Sequence, residues 1–192
     1  MVRAEAISIS VTQLLKQKVS DYAVLSKFRL SFLVVFSAVI GYLFASPLLL
    51  SVTHIVLLAI GGMLVTGASN AINQIIERDI DKLMKRTQNR PLAVERMNVL
   101  EAIIAAGTMG IGGILILTYF FNPTAGVLSA ISLLTYAFVY TPLKRISSIA
   151  VFVGAIPGAL PPAIGYVCAT GKIDFVAAVL FCIQFLWQFP HF

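Results

Sequence analysis

The chain has 192 residues, of which 59% are hydrophobic and only 11% are charged, and its mean hydropathy is +0.94. These values lie outside the range of ordinary soluble domains and predict an all-α integral membrane protein. The net charge of +6 does not indicate nucleic-acid binding, because the basic residues flank apolar runs and form no patch interleaved with aromatic residues.

The first 28 residues differ from the rest of the chain, because their apolar side chains are scattered and no cleavable signal pattern is present. The apolar positions have the spacing of an amphipathic helix that lies on a membrane surface; they are Val11, Leu14, Leu15, Val19, Tyr22 and Leu25. We therefore expect a cytoplasmic N-terminal segment over residues 1–28 and a transmembrane domain over residues 29–192.

Long uncharged runs predict six transmembrane helices. The run from Leu30 to Ile76 has room for two spans of roughly 20 residues each, with a turn at Ser46-Pro47. A second run, Ala102 to Leu143, is broken by Asn122-Pro123 and predicts two more spans. A fifth span is expected over about 148–169 and a sixth from Phe175 onward.

The spans contain helix-interrupting and small residues. In the fifth span, Pro157, Pro161 and Pro162 should leave backbone carbonyls without their helical hydrogen bonds. Glycines such as Gly61, Gly107 and Gly165 are expected to let helices approach one another closely.

Basic residues predict the orientation. With six spans, all but one of the 14 Lys and Arg residues fall on one side of the membrane, and Lys172 is alone on the other. By the positive-inside rule the basic side is cytoplasmic. The protein is therefore expected in the bacterial inner membrane, or in the mitochondrial inner membrane of a eukaryote, with its N-terminus and charged loops in the cytoplasm.

The stretch from Asn70 to Leu92 concentrates charge within this apolar chain. In a helix, Asn73, Glu77 and Asp81 lie at i, i+4 and i+8 and form one polar ladder. Asn70 falls in the same arc, whereas Asp79 lies on the far side. The stretch then continues as a basic loop that contains Lys82, Lys85, Arg86, Arg90 and Pro91.

The polar ladder permits two interpretations. Carboxylates one helical turn apart could coordinate Mg²⁺, which takes oxygen ligands and usually keeps waters and substrate phosphates, while the basic loop holds the remaining phosphate oxygens. Alternatively, Glu77 and Asp81 merely end a helix at the water interface and the basic loop orients the protein. Asn70 and Asn73 favour the first interpretation, because unpaired amides are costly in hydrocarbon and tend to face a cavity.

Three stretches carry a resemblance to a known family. Asn73-x-x-x-Glu77-x-x-x-Asp81, followed by KRTQNRPL, resembles the first signature of the UbiA superfamily of intramembrane prenyltransferases. More narrowly, ASNAINQIIERDIDKLMKRTQNRPL resembles the protohaem IX farnesyltransferases, or haem O synthases. YTPLKR with GAIPGALPPAIGY resembles that family's second cytoplasmic loop and fifth span, and LWQFPHF resembles its sixth.

The resemblance implies a helical bundle with a central cavity, in which Mg²⁺-bound farnesyl diphosphate donates its farnesyl group, and water its hydroxyl group, to a vinyl group of haem B, giving haem O. It implies that Asn73, Glu77 and Asp81 are the catalytic and metal-binding residues. The implied diphosphate-binding residues are Lys85, Arg86, Arg90, Tyr140, Lys144 and Arg145, and the implied contacts to haem or substrate are Asn70, Trp187 and His191. The expected partners are farnesyl diphosphate, haem B and the lipid bilayer, with haem A synthase or oxidase assembly proteins as further candidates and no nucleic acid.

One departure from the family pattern leaves alternatives open. The family carries a second acidic motif and more spans after the WQ-PH stretch, so this chain is expected to hold the N-terminal part of such a bundle. A non-catalytic membrane protein that binds haem or prenyl diphosphate is one alternative. A prenyltransferase for a quinone precursor is another, although the PPAIGY and WQFPHF stretches argue against it.

Overall fold

A computed structural model describes residues 11–45 and 51–191 of the chain. The regular secondary structure of these residues is entirely helical. The helices are α1 (Val11–Leu25), α2 (Phe28–Ala45), α3 (Val52–Asp81), α4 (Val99–Phe120), α5 (Pro123–Leu143), α6 (Ala150–Thr170) and α7 (Phe175–Gln188), and a short 3₁₀ turn (Phe189–His191) follows α7.

Helices α2 to α6 are long and apolar enough to cross a membrane. Helix α7 is apolar and spans 14 residues. The prediction of an all-α, multi-pass membrane protein is therefore confirmed, and the six expected spans correspond to α2 to α7. The expected turn at Ser46-Pro47 lies outside the described residues.

The bundle is built around two close helix pairs, α3 with α4 and α2 with α6. Between α2 and α6 the backbones nearly touch, because a Cβ atom at Gly165 would collide with the Ala38 carbonyl and one at Gly41 with the Pro162 carbonyl. The predicted packing role is thus confirmed at Gly165. At Gly107, in contrast, a Cβ atom would meet nothing within 4 Å.

Helix α6 is continuous although it contains three prolines. Pro161 has no N–H to give to the Pro157 carbonyl, and Ser132 Oγ of α5 lies 3.5 Å from that carbonyl as a donor. Pro162 similarly cannot reach the Gly158 carbonyl, to which Gln188 Nε2 at the end of α7 donates at 3.2 Å. The predicted freeing of carbonyls is confirmed at both positions, and side chains of the adjacent helices satisfy these acceptors.

Helix α1 is attached to the bundle through charged groups. The buried Asp21 carboxylate accepts from Arg96 Nη2 at 3.0 Å, and Lys18 Nζ lies 2.8 Å from Glu101 Oε1. The apolar side chains of Val11, Leu14, Leu15 and Val19 remain exposed. Attachment of this helix to a membrane surface stays a prediction.

Candidate active site

The polar ladder lies on the buried side of α3. Asn73, Glu77 and Asp81 are 1%, 8% and 3% exposed. The side chain of Asp79 is 76% exposed and pairs with the neighbouring Arg78. The prediction from helical spacing that Asp79 lies apart from Glu77 and Asp81 is therefore confirmed. Glu77 and Asp81 need partners, because a buried carboxylate is costly without compensation.

Asn73 links the ladder to α5. Its Nδ2 donates to Glu77 Oε2 and to Thr141 Oγ1, both at 3.1 Å. The Thr141 hydroxyl in turn donates at 2.9 Å to the carbonyl of Tyr136, five residues earlier. The backbone N–H of Thr141 bonds to the same carbonyl, five residues earlier, at the end of a π-helical segment of α5, Thr135–Tyr140, and such segments are frequent at functional sites. The sequence analysis did not identify Thr141 or the π-helical segment.

Basic residues from two loops pair with the ladder acids. Glu77 Oε1 lies 2.9 Å from Lys144 Nζ and 3.9 Å from Arg145 Nε. Asp81 Oδ2 accepts from Arg90 Nη1 at 2.6 Å. These five residues form a charge cluster at the end of the bundle where α3 and α5 end and α4 and α6 begin. The cluster brings together three of the predicted diphosphate-binding cations and both ladder acids.

The other predicted diphosphate ligands lie beside the charge cluster. Tyr140 packs its ring against Tyr136, with centroids 5.3 Å apart, and the Lys144 ammonium lies 5.5 Å from the Tyr140 ring centre, within the range of a cation–π contact. Lys85 and Arg86 are exposed on the loop between α3 and α4. Neither makes an ion pair within the described parts of the chain.

A cavity of about 710 Å³ opens beside the cluster, between α2, α3, α5, α6 and α7. Its volume is in the range of small-molecule binding sites, and the predicted central cavity is confirmed. Most of its wall is apolar, but Asn70, Tyr140 and Trp187 also line it. Tyr140 therefore connects the cavity to the charge cluster. The side chain of His191 lies outside the described residues, so its role stays a prediction.

Gln74 is a fully buried residue that the sequence analysis missed. Its Nε2 donates to the carbonyls of Val24 and Leu25 at 3.0 and 2.8 Å. Asn70 Nδ2 lies 3.4 Å from both the Ser26 carbonyl and Ser31 Oγ. Helix α3 thereby holds the turn between α1 and α2 against the ladder. The signal was present in the sequence, because a second amide beside Asn73 inside a span is costly unless it is paired.

The ladder fits a metal only together with a phosphate ligand. The described residues contain no group of three or more His, Cys, Asp or Glu side chains that could hold a metal ion. Asn73, Glu77 and Asp81 offer one amide oxygen and two carboxylates along one side of a helix. Mg²⁺ is commonly bound by one or two carboxylates plus waters and substrate phosphates, so this donor set suits Mg²⁺–diphosphate.

Comparison with known proteins identifies the family. Residues 34–192 match the model of the UbiA prenyltransferase family, and the chain belongs to that family. A solved structure of digeranylgeranylglyceryl phosphate synthase has the same fold, with a TM-score of 0.80 at 22% identity over 90% of this chain and 60% of that one.

Curated relatives agree with the narrower resemblance. The protoheme IX farnesyltransferase of Cytophaga hutchinsonii is 50% identical over 89% of this chain and 60% of the relative. Those of Flavobacterium johnsoniae and Anaeromyxobacter dehalogenans are 48% and 41% identical, each over 90% of this chain and 58% of the relative. The chain thus spans about 60% of the length of these curated relatives.

Proposed function

We propose that the chain forms the diphosphate-binding part of a Mg²⁺-dependent protohaem IX farnesyltransferase, which adds the farnesyl group of farnesyl diphosphate and the hydroxyl group of a water molecule across a vinyl group of haem B and so gives haem O and diphosphate. The observation that carries this proposal is the position of the charge cluster, where two buried carboxylates and three cations meet beside a largely apolar cavity. The similarity to curated farnesyltransferases supports it.

The ladder and the loops have complementary roles in this proposal. Asn73, Glu77 and Asp81 would hold Mg²⁺, which supplies Lewis-acid stabilisation of the diphosphate when bound. The cations Arg90, Lys144 and Arg145, with Lys85, Arg86 and Tyr140 beside them, would bind diphosphate oxygens through charge-assisted hydrogen bonds.

Farnesyl transfer requires cleavage of the allylic C–O bond, and the electron pair leaves with the diphosphate. Negative charge then grows on the leaving oxygen, so cations that are already oriented lower the barrier. Lys144 and Arg90 are held in place by their pairs with Glu77 and Asp81. These cations are therefore already located at the site, and binding of Mg²⁺ to the two carboxylates would free them to bind the diphosphate.

The cavity suits the organic part of the substrates. Its apolar wall includes Leu30, Leu33, Val34 and Ile183, which would accept a prenyl chain and keep water from the allylic cation until the vinyl group attacks. Asn70 and Trp187 are the described candidates for contacts to haem or substrate.

We place the N-terminus, the charge cluster and both basic loops in the cytoplasm, with the chain in a bacterial inner membrane or, in a eukaryote, a mitochondrial one. The support is the concentration of basic residues at that end of the bundle. We assign residues 29–192 to the transmembrane prenyltransferase domain and residues 1–28 to the cytoplasmic segment. Haem A synthase and oxidase assembly proteins remain candidate partners.

The proposal is tested by expressing the gene from its natural locus, flanking sequence included, and assaying membranes for haem O with haem B, farnesyl diphosphate and Mg²⁺. We expect Mg²⁺-dependent product, at least about 100-fold less of it with Glu77→Gln, and nearly unchanged product with the control Asp79→Asn. Binding of both substrates without product would favour the non-catalytic alternative. Preferential prenylation of an added aromatic quinone precursor would favour the quinone alternative.

A further inference from the structure

The turn between α1 and α2 carries a lysine that the proposed mechanism does not use. Lys27 is partly buried, and its ammonium makes no hydrogen bond or ion pair with the residues that the structure describes. Its backbone is left-handed, with φ of 47°, a conformation uncommon for residues other than Gly, Asn and Asp. Residues held in such conformations are found where the surrounding structure fixes them, often at ligand sites.

Helix α3 fixes the position of this turn. Three consecutive carbonyls just before Lys27 face amide groups of Gln74 and Asn70 at 2.8 to 3.4 Å; they belong to Val24, Leu25 and Ser26. Asn70 and Gln74 flank Asn73 on α3, so the turn is attached directly beside the ladder. The backbone of Lys27 is therefore held in a defined place relative to Glu77.

The electrostatic surroundings of Lys27 are those of the charge cluster. Burial, followed by the nearby charges of Arg90 and Lys144, lowers the pKa of Lys27 to about 8, while Glu77 acts in the opposite direction. Arg90 and Lys144 each have a carboxylate partner. Lys27 is thus near enough to the charge cluster to be affected by its charges, but no carboxylate of the described residues pairs with it, so its charge is poorly compensated.

The charges around the site favour binding of an anion. Arg90, Lys144 and Arg145 lie against two carboxylates, Glu77 and Asp81, and Lys27 and Arg86 add further positive charge nearby. The positive charges outnumber the negative ones, and Mg²⁺ on the two carboxylates would increase the excess, which favours an anionic ligand such as a diphosphate. Lysine binds phosphate as a point charge, so a lysine ammonium without a partner is a suitable donor for one phosphate oxygen.

We propose that Lys27 is a further diphosphate-binding residue, whose ammonium donates to a phosphate oxygen of the prenyl diphosphate. For the identity of the ligand, this inference rests on the proposed function. Three segments would then supply cations to the diphosphate: the α1–α2 turn, the α3–α4 loop and the α5–α6 loop.

The test is calorimetric titration of the purified full chain in detergent with farnesyl diphosphate and Mg²⁺. Lys27→Asn removes the charge but tolerates the left-handed backbone, Lys27→Arg keeps the charge, and Lys16→Gln removes an exposed lysine from α1 as the control. We expect Lys27→Asn to weaken binding about 10- to 100-fold, as loss of a charge-assisted hydrogen bond does. Lys27→Arg should recover most of the affinity, and Lys16→Gln should bind like the wild type.

Two outcomes would overturn the inference, and they are distinguishable. Wild-type affinity in Lys27→Asn, together with lost binding in Glu77→Gln, would exclude Lys27 from the site and leave the proposed function intact. Absence of Mg²⁺-dependent binding in the wild type would contradict both. If Lys27→Asn unfolds, Lys27→Gly replaces it, because glycine adopts the left-handed conformation without strain; the same two criteria then apply.

Discussion

The pair of Asp81 and Arg90 shows how strongly single residues of the site depend on their partners. Both side chains are largely buried, and the carboxylate accepts from Arg90 Nη1 at 2.6 Å. Thr87 adds a hydrogen bond to the Asp81 carbonyl at 3.2 Å. Removing one partner of a buried pair leaves an uncompensated charge, which costs far more than loss of an exposed pair.

Arg90→Met should therefore lower the free energy of unfolding by about 3 kcal/mol. The exposed pair of Lys82 and Glu95, at 2.9 Å, provides the matched control, and Lys82→Met should cost less than about 1 kcal/mol. Chemical unfolding in detergent, followed by circular dichroism, measures both. Equal costs would show that the Asp81–Arg90 pair is not buried as described.

For single residues, the sequence predicted which side chains share the buried side of α3 better than it predicted their contacts. Helical spacing was sufficient to place Glu77 and Asp81 together and Asp79 apart, because all three lie on one helix. The partners of Asn73 and the position of Lys27 depend on contacts between residues distant in the chain, which no local pattern encodes. A local signal existed only for an irregular helix near Thr141, since Pro142 cannot donate a helical hydrogen bond.

Among the helices, α6 illustrates how the bundle tolerates prolines. Ser132 and Gln188 donate to carbonyls that Pro161 and Pro162 leave without a helical partner. In a membrane the cost of an unpaired carbonyl is high because no water replaces the missing donor. Gln188 is thus expected to contribute to the stability of the protein because residue 162 is a proline.

A double-mutant cycle tests this dependence. Gln188→Leu should destabilise the wild type by about 1 kcal/mol but should cost little in a Pro162→Ala background, where the N–H of the new residue can bond to the Gly158 carbonyl. The coupling energy should be about 0.5 to 1.5 kcal/mol in unfolding experiments. Additive effects would refute the link between Gln188 and Pro162.

The contact between α2 and α6 predicts unequal effects of two glycine substitutions. Gly165→Ala would push a methyl group into the Ala38 carbonyl and should destabilise the bundle by about 1 to 3 kcal/mol. Gly107→Ala meets no neighbouring atom and should be neutral or stabilising by up to about 1 kcal/mol. Thermal unfolding of the two variants compares them, and a tolerated Gly165→Ala would contradict the close contact.

The positions of the helices follow from hydropathy, because each span needs a fixed length of apolar residues. Which helices pack against each other does not follow from hydropathy. Gly41 of α2 faces a carbonyl of α6, and Gly165 of α6 faces a carbonyl of α2. These helices are far apart in the chain, and many other glycines could equally have allowed a close helix contact. The π-helical segment Thr135–Tyr140 likewise has no periodic signal in the sequence.

On the scale of the whole molecule, basic loops and the charge cluster gather at one end of the bundle, and Lys172 lies at the other. This arrangement predicts the orientation of the chain in the membrane. In a background with Cys168→Ala and Cys182→Ala, Lys172→Cys should react with a membrane-impermeant maleimide in intact cells. Gln88→Cys, in the α3–α4 loop, should react only after permeabilisation; the reverse pattern would invert the proposed topology.

In the proposed function, the ladder acids and the surrounding cations together bind Mg²⁺ and diphosphate as one ligand. Without that ligand the acids and cations pair with each other, and the described residues offer no metal site of three or more acidic, His or Cys side chains. Metal and diphosphate should therefore stabilise the protein cooperatively, since each one occupies the groups that the other leaves unpaired.

The most direct measurement is the melting temperature of the purified chain with Mg²⁺, with farnesyl diphosphate, and with both. We predict that both together raise the melting temperature by roughly 5 °C or more at saturation, well beyond the sum of the separate shifts, and that Glu77→Gln abolishes the excess. A full shift with Mg²⁺ alone, or strictly additive shifts, would contradict the joint site.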